Sequence, residues 1–290
     1  MSRILVFGAT GQVGRFLRPR LRAAGHQVIA VSRMAIPQSG GENWLCGDLE
    51  SDVDIPSVDA IVSAGPLDRF AAWIARNRPD GVGHVVALSS MSAESKLGSP
   101  DPAERALAQH LSEAEILLAA ACAAYCSRWT ILRPTLIWGA GLDRSLTPLV
   151  RFAWRTRLFP LVPGARGLRQ PVHADDLAAA CAASLAKGAA AHEKIFPFGG
   201  GERMSCAEML RRVRASAGVA TLPVPLPLAL LRAGSRVIGR GLGTVARFGD
   251  DLCADNTAVV ADLAVAPRPF RPLPADWGSA PRHGIDYANL

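Results

Sequence analysis

The stretch Ile4-Leu5-Val6-Phe7-Gly8-Ala9-Thr10-Gly11-Gln12-Val13-Gly14-Arg15 runs from an apolar segment straight into three glycines spaced three apart. Residues 4–7 read as a buried parallel strand. Gly8 permits a tight turn, Gly11 lets the backbone approach a pyrophosphate, and Gly14 lets the following helix lie close on the sheet. The amides that open this helix then face phosphate charge. Thr10, Gln12 and Val13 complete the loop, so Gly8 through Gly14 form the expected dinucleotide cradle.

Outward from that loop, the spacing predicts a helix over 12–24 ended by Gly25 and a second buried strand over 28–31. Together they complete a βαβ unit within ~30 residues. Ser32 and Arg33 then fall where an adenosine ribose lies. An acidic residue there would grip the 2′-hydroxyl of NAD, whereas Arg33, with Ser32 and Arg15, offers a positive site for the 2′-phosphate of NADP. NADP is therefore the expected cofactor, with NAD as the alternative. A merely solvated Arg33 is the plainer reading.

Further strands are expected at 44–46 and 59–63. Residues 50–58 make an abbreviated, irregular link, because a parallel crossover normally needs about a dozen residues or more. A helix over 67–77 leads to a strand over 84–88 that ends in Ser89-Ser90. Asp101-Pro102-Ala103-Glu104 is a helix start, with Asp101 as cap, Pro102 in the first turn and Glu104 closing a capping box. That helix runs to about 125 and is followed by a strand over 129–132.

Beyond Gly139 the alternation fades and proline becomes dense, at 223–227 and 267–274. The fold class expected is α/β, a Rossmann-type, doubly wound, mostly parallel sheet over residues 1–198. A smaller substrate lobe is expected over 199–290, with 140–172 contributing to it. A helix over 174–186 and a strand over 194–197 return to the main domain.

Composition narrows the function classes. The chain has 290 residues and a formal charge of +7, and 49% of its residues are hydrophobic. No apolar run approaches the ~20 residues of a membrane span. The only lysines are Lys96, Lys187 and Lys194, so the positive charge is almost all arginine, spread without a basic run; anionic ligands are favoured over nucleic acid. Six cysteines without a Cys-x-x-Cys pair indicate reduced, structural thiols and no metal site, although Cys122 and Cys126 stand one helical turn apart. A core strand beginning after three residues leaves no room for a signal peptide, so a cytoplasmic address is expected. The expected partner is a small-molecule substrate, and a homodimer is left open.

Several of these motifs together resemble the short-chain dehydrogenase/reductase superfamily, in its extended or atypical branch of NAD-dependent epimerases and dehydratases. They are Gly8-Ala-Thr-Gly11-Gln-Val-Gly14, Asp48-Leu49, Ser63-Ala64-Gly65-Pro66, Ser89-Ser90, Arg133-Pro134-Thr135-Leu136-Ile137-Trp138-Gly139 and Val172-His173-Ala174-Asp175-Asp176. The resemblance implies that Asp48 and Leu49 flank the adenine, and that Ala64 and Gly65, with Pro66, line the middle of the cofactor. It likewise implies that Pro134, Thr135 and Leu136 approach the nicotinamide, that Ser89 is among the cofactor-binding residues and that Ser90 lies near a reacting carbonyl. Ser89 and Ser90 can also be read as strand-end caps, and Asp175 and Asp176 as first-turn helix charges.

One departure stands out. Members that move hydride usually carry Tyr-x-x-x-Lys on the helix after the Ser-Ser strand, because a tyrosine must exchange a proton with the substrate oxygen. Aligning the family's downstream glutamate with Glu115 puts Leu107 and Leu111 at those two positions. Tyr125 and Tyr287 are the only tyrosines. Substitute donors could be Lys96, His110, Glu113 or His173. The distal segment 248–272 is similar to the part of epimerase-like members that closes the substrate pocket. There Arg268 either binds a substrate phosphate or carboxylate, or pairs with Asp250, Asp251 or Asp262. Residues 226–238 read as a lobe helix over the pocket.

Three functions follow. The first is an NAD(P)-binding, epimerase/dehydratase-like oxidoreductase acting on a small carbonyl or nucleotide-sugar-like substrate through a non-standard proton donor. The second is a catalytically degenerate NADP(H)-binding sensor, scaffold or assembly factor. The third is a non-redox enzyme on the same fold.

Overall fold

In the computed structural model, residues 1–37, 43–50, 55–77, 79–125, 127–227 and 249–278 are described. The apolar run at the start forms β1 (Arg3–Phe7), followed by α1 (Gly14–Ala23), β2 (Gln27–Ser32), β3 (Asn43–Cys46) and β4 (Ala60–Ser63). Next come α2 (Leu67–Asn77), β5 (His84–Leu88), the short α3 (Ser92–Ser95), α4 (Pro102–Ala124) and β6 (Arg128–Pro134). The second half contributes β7 (Ile137–Trp138), α5 (Thr147–Thr156), β8 (Leu158–Leu161), β9 (Leu168–Arg169) and β10 (Val172–His173). It ends with α6 (Ala174–Ala186), β11 (Lys194–Phe198), β12 (Met204–Ser205), α7 (Cys206–Ala215) and β13 (Leu222–Pro225), and with a short helix over Thr257–Leu263.

Seven strands form one sheet in the order β11-β6-β5-β4-β1-β2-β3, with every neighbouring pair parallel. Parallel strands buried on both faces read as unbroken apolar runs rather than alternating ones. β1 shows the consequence. Ile4 and Val6 face a core shared with Leu17 and Leu21 of α1 and Leu177 of α6, while Leu5 and Phe7 face Phe70, Trp73 and Leu118 from α2 and α4. The strand order reverses at β1, between β2 and β4. In open α/β sheets, ligands bind beyond the carboxyl ends of the strands at that switch point.

A third cluster lies off the sheet, where Trp138, Val150, Trp154, Phe159, Met209, Phe270 and Trp277 pack together. Two of its indoles spend their N–H groups locally: Trp154 donates to the Ala217 carbonyl at 2.7 Å, and Trp277 to Ser216 Oγ at 2.9 Å. The contributing residues come from either side of α6 in sequence.

The predicted elements are present with adjusted ends. α1 begins two residues later than expected, since residues 11–13 remain in the turn. β6 and β11 each run one or two residues further than expected, and β6 thereby brings Pro134 to the cleft. Residues 55–58 have no regular structure, while 51–54 of the same link lie outside the described residues. So do Cys126, Tyr287, Phe248 and residues 228–238 of the expected lobe helix. Cys122 and Cys181 are core residues whose thiols burial pushes up to about 12, which leaves them unreactive. Among the described residues, no helix is long and apolar enough to cross a membrane.

Candidate functional site

The glycine loop is tightly built. Gly8 has φ +69°, and a Cβ there would come within 2.7 Å of the Ala64 carbonyl carbon. A Cβ on Gly14 would collide with the Gly8 oxygen and lie 2.6 Å from that of Ala9. The Gly11 amide donates to the Gly8 carbonyl at 2.9 Å, closing the turn. No side chain caps α1, and no acidic residue stands in its first turn, so its positive end is left for an anion. Gln12 Oε1 is buried without a hydrogen-bond partner. A crowded glycine turn, an uncapped helix start and an unsatisfied amide beside it suit a dinucleotide's phosphate and nicotinamide groups.

A cleft of about 1130 Å³ opens from this loop. Of the predicted residues, it brings together Gly11, Gln12, Ala64 and Ser90, together with Pro134, Thr135 and Leu136. Gly8, Val13 and Gly14 form the turn behind its wall rather than the wall itself. Thr10 and Arg15 stand outside, where Arg15 Nε donates to the Thr10 carbonyl at 3.3 Å. Ser32 is buried at the end of β2, and its hydroxyl accepts from the Met34 amide at 3.2 Å; Arg33 beside it is exposed. Asp48 Oδ1 accepts from the Glu50 amide at 2.9 Å. Leu49 lies over Gly65, where a Cβ would be 3.4 Å from its methyl, and Pro66 is exposed at the mouth.

The two serines part company. Ser90 lines the cleft, and its Oγ accepts from the Ser92 amide at 3.1 Å, which starts α3. Ser89 turns away and donates to Glu115 Oε1 at 2.5 Å. Glu115 also takes Arg133 Nε at 2.9 Å, and that hydrogen bond, with the neighbouring charge, carries the guanidinium above its ordinary pKa. Ser89 therefore belongs to a buried brace between α4 and β6. Thr135 is a wall residue whose hydroxyl is already spent on the Gln170 carbonyl at 2.5 Å.

The structure separates the four candidate donors. His110 is exposed and 3.2 Å from Asp68 on α2, and Glu113 is exposed and accepts from Gln109 at 2.8 Å. His173 is buried as the cap of α6, its Nδ1 accepting from the Asp175 amide at 3.1 Å, with its ring edge-on to Trp138. None of these three lines the cleft. Lys96 does, with Nζ 3.2 Å from Glu104 Oε1.

That contact corrects the expected capping box. Asp101 caps α4 as predicted, accepting from the Ala103 amide at 2.9 Å. Glu104, however, accepts from Ser99 Oγ at 2.8 Å and pairs with Lys96 instead of reaching back to the Asp101 amide, which donates to Ser99 Oγ at 3.2 Å. The pull of a cation on the cleft wall outweighs a reciprocal cap. Glu104 thus joins the wall, whereas Leu107 and Leu111, on the turns of α4 that follow, do not.

Arg268 does not pair with the aspartates expected for it. Its side chain pairs with Asp176 at 2.8 Å and Asp175 at 2.7 Å, at the start of α6. Burial raises the Asp175 carboxyl, but hydrogen bonds from Arg20 and Arg268 outweigh this and hold it below its ordinary value. Two of the three anticipated partners are otherwise engaged: Asp251 accepts from the Leu168 amide at 2.7 Å, and Asp262 meets Lys194 at 2.8 Å.

Residues 249–252 close the far end of the cleft, tied to β9 by a Leu252–Arg169 bridge. Arg144, Ser145 and Arg169 complete that end and were not anticipated. The local signal for the first two was Asp143, four residues before Thr147-Pro148. Its carboxylate accepts from the Ser145 and Thr147 amides at 3.0 and 3.1 Å and so fixes the loop before α5.

The parallel sheet order and the glycine turn at its switch point define a Rossmann-type α/β architecture. Residues 4–109 match the model of the NAD dependent epimerase/dehydratase family. Among curated relatives it is 28% identical over 257 residues to the 2-alkyl-3-oxoalkanoate reductase of Stenotrophomonas maltophilia, covering 74% of this chain and 76% of that protein. It is 25% identical over 323 residues to the mitochondrial NADH dehydrogenase [ubiquinone] 1 alpha subcomplex subunit 9 of Arabidopsis thaliana, covering 94% and 76%. It also matches uncharacterised proteins of Mycobacterium bovis and Mycobacterium tuberculosis, of whose length it spans only 19%. In fold it is similar to gox2253 (TM-score 0.71, 20% identity, 94% of this chain and 97% of that one). A second similar fold is the UDP-glucuronic acid 4-epimerase of Bacillus cereus in complex with NAD (TM-score 0.69, 12% identity, 95% and 97%).

Proposed function

We propose that this chain is an NADP(H)-binding oxidoreductase of the epimerase/dehydratase type, acting on a small carbonyl or nucleotide-sugar-like substrate. The observation that carries this reading is a single cleft with the crowded glycine turn and Gln12 at one end and Ser90, Lys96 and Glu104 on the wall beyond. Gly8 to Gly14 would hold the pyrophosphate, and Ser32, Arg33 and Arg15 the 2′-phosphate. Asp48 and Leu49 would flank the adenine, Ala64 and Gly65 the middle, and Pro134 to Leu136 the nicotinamide. The bound cofactor supplies a hydride to or from carbon. The chain's own residues orient the carbonyl through Ser90 and shield it behind residues 249–252.

The test is calorimetric titration with NADP⁺ and NAD⁺, followed by NADPH oxidation across a panel of small aldehydes, ketones, 3-oxo esters and UDP-sugars. Tighter NADP⁺ binding with turnover of at least one compound is the expected outcome. Binding without any turnover would overturn the enzymatic part.

A second reading rests on the similarity over 94% of the chain to a respiratory-complex subunit and on the apolar surface of α4, where Ile116 is 70% exposed. In that reading the cleft holds a dinucleotide for structural ends, and α4 meets a partner. A stoichiometric companion protein retained through purification from the native host would favour it.

A further inference from the structure

Building on the oxidoreductase reading, we propose that Lys96 is the group that hands a proton to the substrate's carbonyl oxygen. Its ammonium carries three N–H donors, and Glu104 is its ion-pair partner. Glu104 is itself fixed, since its second oxygen accepts from Ser99 Oγ at 2.8 Å. The remaining donors of Lys96 are available on the wall of a cleft that Ser90 and Ser92 also line.

The supporting segment is built to keep that arrangement. Ser90 Oγ starts α3 through the Ser92 amide, the Ser99 amide donates to the Lys96 carbonyl at 3.2 Å, and Arg105 donates to the Ser99 carbonyl at 2.7 Å. The Lys96 and Glu104 side chains are only 17% and 8% exposed. Glu104 forgoes a reciprocal helix cap for this pairing, which a purely structural surface ion pair gives no reason to do.

Residue choice adds to the argument. Most ion pairs among the described residues use arginine, as at Arg20, Arg128, Arg133, Arg212 and Arg268, and Arg144 and Arg169 line the far end of the cleft, yet the cation paired with Glu104 is a lysine. Arginine holds its proton throughout the working pH range, whereas a lysine ammonium and a tyrosine phenol have nearly equal ordinary pKa values of ~10.4 and ~10. A lysine can therefore do what the family's tyrosine does. A bound NADPH would supply hydride to the carbonyl carbon, and the C=O π pair would move to oxygen. One Lys96 N–H bond then breaks, an O–H bond forms, and the neutral amine regains a proton from water at the cleft mouth.

Three lysines make the test direct. Reductive ¹³C-methylation labels Lys96, Lys187 and Lys194 for NMR, with Lys96→Arg, Lys187→Arg and Lys194→Arg assigning the signals. Addition of NADP⁺ should shift the Lys96 signal and leave the other two in place, and Glu104→Gln should shift it without ligand. Lys96→Arg keeps the charge beside Glu104 but withholds the proton. It should bind NADPH within about threefold of the parent and lose about 100-fold or more in turnover with little change in KM. Lys187→Arg should behave as the parent.

If NADP⁺ binds by calorimetry and the Lys96 signal stays fixed, or if Lys96→Arg turns over within threefold of the parent, the proton-donor role is wrong while the oxidoreductase reading stands. If neither nucleotide binds, the underlying reading fails and the role of Lys96 falls with it. If NADP⁺ binds and no compound of the panel turns over, the enzymatic reading falls and the donor role with it, whatever the NMR signal does.

Discussion

Arg268 grips Asp176 from two directions, its backbone amide donating to Oδ2 at 2.9 Å and its side-chain Nε to Oδ1 at 2.8 Å. The same guanidinium reaches Asp175 at 2.7 Å, and Arg20 of α1 closes on Asp175 from the other side at 2.8 Å. One arginine thereby ties the returning C-terminal segment to the start of α6 and, through Asp175, to Arg20 in the last turn of α1. Because Asp176 is buried, removing Arg268 strands a carboxylate without its partner.

Arg268→Ala should accordingly destabilise the protein by about 2 kcal/mol, below the full cost of a buried pair because the arginine is itself 43% exposed. At this chain size that corresponds to a drop in Tm of roughly 4–8 °C by differential scanning fluorimetry. Arg268→Lys should recover less than half of it, since an ammonium cannot fork across two carboxylates. Equal stability of Arg268→Ala and parent would show that the clamp contributes nothing.

This clamp also marks where sequence reading ends. The sheet was legible because its strands are buried on both faces, so each appears as a short apolar run punctuated by glycine or serine. The cap at Asp101 was legible because it is local. Glu104 was misread for the same reason: three residues after a capping aspartate it has the spacing of a capping box, and only the position of Lys96 in space redirects it. Arg268 meets partners 92 and 93 residues away, while three aspartates nearby in sequence looked equally suitable. The lobe was the least legible part. β7, β9, β10 and β12 are two residues each, too short to carry a period.

The glycine turn gives a second prediction. A methyl on Gly14 would meet two backbone carbonyl oxygens, neither of which can swing aside as a side chain could. Gly14→Ala should therefore cost about 1–3 kcal/mol through overpacking and push α1 off the turn. Binding of NADP⁺ should weaken by at least about tenfold, because the amides at the helix start lose their aim. Urea denaturation and calorimetry measure the two effects on one sample. Unaltered binding would mean that the phosphate does not rest on this turn.

Cofactor choice should follow Arg33. It stands exposed directly after the buried Ser32, free to meet a phosphate beyond the end of β2. A charge-assisted contact of this kind is worth about 1.5–3 kcal/mol, so Arg33→Ala should weaken NADP⁺ by about 10- to 100-fold and leave NAD⁺ within about threefold. Arg33→Asp should go further and reverse the preference, since a carboxylate repels the 2′-phosphate and accepts from a free 2′-hydroxyl. If both variants bind the two nucleotides as the parent does, the adenosine end lies elsewhere.

Acid sensitivity should centre on His84. At the start of β5 its Nε2 lies 2.8 Å from Thr130 Oγ1, whose own hydroxyl donates to the Ala191 carbonyl at 2.7 Å. The threonine oxygen must then accept, so Nε2 carries a proton. Burial lowers its pKa to about 4 from the ordinary 6.5, and the His192 ring, 4.7 Å away edge-on, adds repulsion against a second positive charge. In the unfolded chain the imidazole takes up its proton near pH 6.5, whereas the folded chain resists until about pH 4. The unfolded state therefore binds more protons across that window, and stability falls as pH falls through it. The full loss is about 3 kcal/mol. Urea denaturation midpoints at pH 7.0, 5.5 and 4.5 should decline steadily for the parent. His84→Asn, less stable at pH 7 for want of the imidazole's packing, should show a clearly shallower decline, and equal slopes for the two would place the acid sensitivity in other groups.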